Sequence, residues 1–357
     1  MTLLLLFLAC GDDKTTDDTA AVGTDDSADD SAGADDSVQE SGGPDSPTDD
    51  SADDSADEST PPDDTGGEVV EVPEFHTAPL ADLAELSSGE CPDLTASGTS
   101  TFLSSGEERL VTAVIPAGGT EGAPLVFFFH GLTSPDATPY PTEYTAEALD
   151  LQSVADSTGA VILLPEAPLR DFFGYEIFLW DVEGSSDADL VLYDDLRTCA
   201  SNQLAVDLEQ VSAVGFSGGA LFNTWIGTTR ADTLATFVEL SGGSDVEVPF
   251  VGLYLSPYVT PAWSIPALVV SGGEDDVWPD PSLALVDFEA ASDTLAESLA
   301  LDGHYVARCH HNAGHTITTQ GYVLTLSWIQ SHRYGEPSPY ETLGLGDDAD
   351  WCAKQEP

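Results

Sequence analysis

Positive charge is what this 357-residue chain most lacks: eight Lys and Arg stand against 65 Asp and Glu, a formal net charge of −57. Such a surface repels phosphate backbones and acidic headgroups, so nucleic acid and anionic membrane surfaces are excluded as electrostatic partners. No apolar run approaches the ~20 residues that a membrane-spanning helix needs. Neither Cys-x-x-Cys nor His-Glu-x-x-His occurs, which removes zinc-ribbon, thioredoxin-like and zincin chemistry. What the chain does hold is 41% hydrophobic residues with 14 Phe, 10 Tyr and 6 Trp. That is too much apolar surface for a wholly disordered protein.

The acidity is unevenly spread. Between Gly11 and Glu74 the chain is almost entirely Asp, Ser, Thr, Ala, Gly and Pro, with 23 acidic residues against the single Lys14. Near-repeats such as Asp29-Asp30-Ser31-Ala32 and Asp53-Asp54-Ser55-Ala56 carry few apolar residues and no EF-hand spacing. Like charges and the cost of chain ordering predict a disordered, extended tether over residues 11–74. Ahead of it, the apolar run Leu3–Leu8 leads into Ala9-Cys10-Gly11. This resembles the lipobox of bacterial lipoproteins, which implies a signal peptide over residues 1–10 and acylation of Cys10. The expected organisation is then a lipid anchor, an acidic tether and a folded domain over residues 75–357. Its membrane contact would run through the lipid on Cys10, on a periplasmic or cell-surface face, with plain secretion as the other route.

Four cysteines remain: Cys91, Cys199, Cys309 and Cys352. An even number in an exported chain predicts two disulfides, with three connectivities open. Because Cys91 opens the folded part and Cys352 closes it, the expected pairs are Cys91–Cys352 and Cys199–Cys309.

The folded part reads as strands alternating with helices. Strands are expected at Arg109–Pro116, Leu125–Phe129, Ala160–Leu164, Val211–Phe216, Thr236–Leu240, Ala267–Val270 and Tyr305–Arg308. Helices are expected at Thr142–Ser157, Ala188–Cys199, from Ser217 through Trp225, at Leu283–Leu299 and at Thr319–His332. Such alternation predicts an α/β fold with a mostly parallel sheet and helices on both faces.

Gly215-Phe216-Ser217-Gly218-Gly219 fits Gly-x-Ser-x-Gly at a strand-to-helix junction. There a Ser sits in a sharp turn with its hydroxyl exposed and the following helix amides aimed at any anion formed. A Ser hydroxyl needs a base and an oriented acid, in the chain order Ser, acid, His for this elbow. Asp275 or Asp276 follows one buried strand, and His310-His311-Asn312-Ala313-Gly314-His315 follows the next. The C-terminal ends of parallel strands are where open α/β sheets place their sites. A metal cluster of His304, His310, His311 and His315 is the weaker reading, and no metal or cofactor is expected. Two N–H donors must face the oxyanion. Gly218 supplies one, and Leu132, after Phe129-His130-Gly131, the other. His130 itself is expected to be a structural turn residue.

With Leu240-Ser241-Gly242-Gly243, Val270-Ser271-Gly272-Gly273-Glu274-Asp275-Asp276-Val277-Trp278-Pro279 and Ala313-Gly314-His315-Thr316, these motifs resemble α/β-hydrolases of the polyhydroxybutyrate depolymerase and feruloyl esterase-like group. The resemblance implies the α/β-hydrolase fold and a serine esterase with Ser217 as nucleophile, His315 as base and Asp275 as acid, Asp276 being a second candidate. It implies a carboxylic ester substrate, small or polymeric. The acidic surroundings favour a neutral one: a polyhydroxyalkanoate, a feruloyl ester or another uncharged ester. Two aromatic segments, 172–180 and 250–263, offer Trp180, Tyr254, Tyr258 and Trp263 as a wall for the substrate, or as a lid packed on itself. Rival classes are a serine peptidase or acyltransferase of the same fold, and a non-catalytic surface-binding lipoprotein.

Overall fold

The computed structural model describes residues 78–357 apart from 173, 251, 347 and 348. The expected signal peptide with Cys10 and the 11–74 tether lie outside the described residues. Among the described residues no helix is long and apolar enough to cross a membrane.

The chain opens with a hairpin, β1 (Gly98–Ser104) and β2 (Glu107–Val114), joined at Ser105 and Gly106, both with positive φ. That pair of left-handed residues is the tight turn whose twist matches two antiparallel strands. β3 (Leu125–Phe129) follows, then α1 (Pro141–Ala148), α2 (Leu151–Thr158) and β4 (Val161–Pro165). One helix was expected over Thr142–Ser157. It is broken at Asp150, which takes a left-handed φ of 47°, a conformation Asp tolerates better than most residues.

A small hairpin, β5 (Leu169–Phe172) with β6 (Tyr175–Phe178), precedes α3 (Ala188–Leu204), β7 (Val211–Phe216), α4 (Gly218–Thr229) and β8 (Thr236–Leu240). A second hairpin pairs β9 (Val246–Val248) with β10 (Leu253–Leu255), ahead of β11 (Ala267–Ser271). A third pairs β12 (Val277–Trp278) with β13 (Val286–Asp287). The helix expected from Leu283 therefore starts later, as α5 (Phe288–Leu301), where the Asp287 side chain caps the amide of Ala290. β14 (Val306–His310), α6 (Thr319–Ser331), α7 (Tyr340–Leu343) and β15 (Cys352–Lys354) complete the fold.

Nine strands form one sheet in the order β1-β2-β4-β3-β7-β8-β11-β14-β15. Its six central members, β4 to β14, run parallel, and the edges are antiparallel. Alternation along β3 sends Leu125, Phe127 and Phe129 into a core with α3, α4 and α5. Val126 and Phe128 point to the other face, where α2 and α6 pack. The parallel strands are buried on both faces, which is why they read as continuous apolar runs.

The disulfides are Cys91–Cys199 and Cys309–Cys352, which corrects the expected Cys91–Cys352 and Cys199–Cys309. The N-terminal segment lies along α3. There Ser87 bonds Asp195 and the amide of Leu94 donates to Gln203, so Cys91 meets Cys199. Cys352 is the cross-strand register partner of Cys309, at a Cα separation of 4.0 Å. The two ends of the described domain are thus fastened separately, one to α3 and the other to β14, rather than to each other.

Candidate active site

Ser217 sits between β7 and α4 with φ 56° and ψ −125°, a strained conformation held by its surroundings. Its N–H donates to the carbonyl of Leu240 at 3.0 Å. Two flanking glycines are sterically required. A Cβ on Gly215 would lie 2.5 Å from the carbonyl oxygen of Gly219, and one on Gly219 would lie 2.1 Å from that of Phe129. Close passage of strand, helix and the β3 loop thus fixes the elbow.

His315 follows β14 and approaches from the neighbouring loop. Its Nε2 lies 2.9 Å from Ser217 Oγ, and its Nδ1 lies 2.7 Å from Asp276 Oδ1. A carboxyl oxygen facing Nδ1 places the imidazole proton there and leaves Nε2 to accept from the serine. Asp276 is fully buried, and its Oδ2 accepts from Ser241 Oγ at 2.8 Å and from the amide of Gly272 at 2.7 Å. Asp275 is exposed, so the expected assignment of the acid to Asp275 is corrected to Asp276. The segment is a tight turn, with the amide of Asp276 donating to the carbonyl of Gly273 at 2.8 Å, and the turn rotates Asp276 inward. The His315 loop is pressed onto it. Gly314 donates to Gly272 at 3.0 Å, and no side chain fits on Gly272, where a Cβ would lie 2.0 Å from the Gly314 carbonyl oxygen.

The amides of Leu132 and Gly218 lie together: a Cβ on Gly218 would stand 3.2 Å from Leu132 N. Among the described residues neither N–H has a hydrogen-bond partner. Two unengaged donors beside the serine meet the requirement for an oxyanion site.

His130 supports that loop from below. It is buried; its Nδ1 lies 2.8 Å from the Gly131 carbonyl, and its Nε2 accepts from the Ala167 amide at 3.1 Å. Burial pushes its pKa down to about 4 despite the Gly131 bond, so the ring is neutral and structural.

Trp180 and Trp263 take no part in the expected aromatic wall. Trp180 is 1% exposed, stacks on Phe222 and donates to the His130 carbonyl at 2.9 Å, so it braces the oxyanion loop from inside the core. Trp263 lines a cavity with Leu234, Ala235 and Pro266, beneath the N-terminal ends of β8 and β11 and away from Ser217. Tyr258 donates to Asp302 past the C-terminus of α5 at 2.7 Å. Tyr254 is half-exposed on β10 and donates to Asp245 at 2.8 Å.

The four histidines weighed as a metal cluster are engaged separately. His304 faces the Ile265 carbonyl, His310 faces Glu289, and His311 is adjacent to Trp351 while His315 serves Ser217. Glu289, Asp293 and His310 do converge, but Arg308 stands among them, 2.9 Å from Asp293 and 3.5 Å from Glu289. Asp276 stood as the second candidate in the sequence, which did not point to Ser241 as its hydrogen-bond partner or to Phe288 as the ring stacked on His315. The Ser241-Gly242-Gly243 stretch was visible as a motif, whereas nothing in the sequence marked Phe288.

Known structures share this architecture. A cysteine variant of pOPH in complex with DMSO superposes with a TM-score of 0.59, over 74% of this chain and 95% of that one, at 15% identity. Native sOPH gives 0.57, over 76% and 97%, at 17% identity. The chain has the α/β-hydrolase fold. A ferulic acid esterase from Anaeromyces mucronatus in complex with ferulic acid matches over 69% of this chain and 92% of its own length, at 15% identity and a TM-score of 0.48. No family model matches the sequence, and no curated protein matches it.

Proposed function

We propose that this α/β-hydrolase is a serine esterase that cleaves neutral carboxylic esters through an acyl-enzyme. The observation that carries the reading is the continuous relay from Ser217 Oγ to His315 at 2.9 Å and from His315 to Asp276 at 2.7 Å, beside two unengaged amides. His315 Nε2 takes the hydroxyl proton as Ser217 Oγ attacks the ester carbonyl. The carbonyl oxygen, now negative, accepts from the N–H groups of Leu132 and Gly218. Asp276 keeps the Nδ1 proton in place and faces the imidazolium as it forms. The imidazolium returns its proton to the departing alkoxide, and water repeats the sequence to release the acid.

The two disulfides support an oxidising compartment. We further propose that the enzyme works outside the cytoplasm, tethered through a lipid on Cys10, with a small or polymeric ester as its partner.

Ser217→Ala should lower kcat on p-nitrophenyl esters by about 10⁴-fold or more and abolish labelling by a fluorophosphonate probe. A panel of feruloyl and 3-hydroxybutyrate esters then ranks the acyl groups. Undiminished hydrolysis by the alanine variant would refute the reading.

A further inference from the structure

The imidazole of His315 is flanked by two phenyl rings that lie nearly parallel to it. The Phe288 ring centroid is 4.4 Å away with an interplanar angle of 17°, and that of Phe216 is 5.1 Å away at 25°. Both rings are tied to the chain neighbours of the catalytic groups. Phe216 directly precedes Ser217, and the Phe288 amide donates to the carbonyl of Asp276 at 2.9 Å. Phe288 is 2% exposed at the first turn of α5, so it cannot swing away without unpacking that helix.

An aromatic face carries negative charge density and attracts a cation lying over it far more than a neutral ring. As the base, His315 gains a positive charge once the proton of Ser217 Oγ has moved to Nε2. The His315 side chain is 13% exposed, and a ring on each face keeps water from the two faces of the imidazole, where it would otherwise solvate that charge. A contact that strengthens only as the charge appears lowers the barrier and leaves substrate binding alone.

We propose that Phe288, seconded by Phe216, is a positioning residue whose π face stabilises the imidazolium form of His315 during proton transfer from Ser217. No bond to either ring forms or breaks: the proton passes from Ser217 Oγ to His315 Nε2 and on to the leaving alkoxide. The proposal rests on the esterase reading. Sequence alone did not suggest it, since Phe288 lies 27 positions before His315 with no motif around it.

The test replaces the ring at position 288 by 4-fluoro-, 3,5-difluoro- and 3,4,5-trifluorophenylalanine. These keep its shape while withdrawing charge from its face. Single-turnover acylation by p-nitrophenyl acetate should slow stepwise with each fluorine, with KM unchanged. The total loss should be about 2- to 30-fold, the range expected for one cation–π contact. Phe288→Leu, which fills similar space without a π face, should lose at least as much as the trifluoro variant. A purely structural role predicts a flat fluorine series, and that result overturns the proposal. If Phe288→Leu does not fold, the fluorinated series still decides. Ser217→Ala serves as the control. Its inactivity beside a flat series would reject the ring's role alone, whereas its full activity would reject the esterase reading along with it.

Discussion

The two sides of Ser217 are held by different physics. On the oxyanion side, Leu132 rides on a loop braced by neutral, buried groups: the imidazole of His130, the indole of Trp180 and the amide of Ala167. On the acid–base side, Asp276 and His315 rest against a charged assembly. There Arg308 meets Asp293 and Glu289, and Glu289 in turn bonds His310, Ser271 and the amide of Gly273. Burial raises the pKa of Glu289, but the Ser271 bond and the Arg308 charge outweigh it and leave it lowered. Neutral packing suits donors that must keep a fixed direction whatever charge develops before them. An ionic frame suits groups that exchange a proton, because its fixed charges need not reorganise as that proton moves.

The sharpest break in this contrast comes from the adjacent acids. Asp276→Asn should lower kcat by about 10⁴-fold with little change in KM, because the amide presents the wrong partner to the imidazole. Asp275→Asn should leave kcat within about threefold, as exposed substitutions away from the reacting groups do. Measuring both on one activated ester checks the pair, and a severe loss in the Asp275 variant would contradict the structure.

Acid should fail the neutral side first. The pKa of His130 is lowered to about 4 from the ordinary 6.5. Its contribution to stability is therefore complete above pH 6.5 and is lost as pH falls from there through 4. His304 and His332, also lowered to about 4 by burial, act with the same sign. Each such proton gives a slope of at most about 1.4 kcal/mol per pH unit. Denaturant unfolding between pH 7 and 4 should show this decline. His130→Gln should make the decline shallower by one proton, while lowering overall stability through its lost packing.

A smaller effect sharpens the comparison from behind the acid strand. Glu239 on β8 is fully buried, and burial raises its pKa well above 4.5 even though Asn223 bonds it at 3.0 Å. A raised carboxyl contributes stability below its unfolded pKa and loses it as pH rises through the folded one. Glu239→Gln should match the wild type near pH 4 and become the more stable protein as pH rises, by thermal unfolding across pH 4 to 9. Equal pH dependence in the two would show that Glu239 does not titrate differently on folding.

Much of this was legible in the residues. Buried parallel strands announce themselves as unbroken apolar runs, so β3, β4, β7, β8 and β11 were placed within a residue or so. Ser217 and His315 were legible because the glycines around them answer to backbone collisions, which leave a local signature. Asp276 was not, because the choice between neighbours is set by a turn that extended-strand alternation does not describe. Disulfide pairing was hidden for a different reason. It depends on the path of residues 78–97 along α3, a docking made largely of hydrogen bonds from Arg197, Thr198 and Gln203 to backbone carbonyls and from Ser87 to Asp195, with no periodicity of its own. Trp180 and Trp263 illustrate the same limit, since an aromatic residue in a loop reads alike whether it faces a substrate, a core or the far end of the sheet.

The final strand bears on how copies of this protein meet one another. β14 is a five-residue strand that leads into the His315 loop, and without a neighbour its outer edge would offer an open ladder to any other unpaired strand. β15 covers that edge with three residues and is bolted there by Cys309–Cys352. It substitutes a short rim carrying Lys354, poor material for templating. The second disulfide thus holds β15 over that edge, and its reduction should leave the edge of β14 open to pairing with another strand.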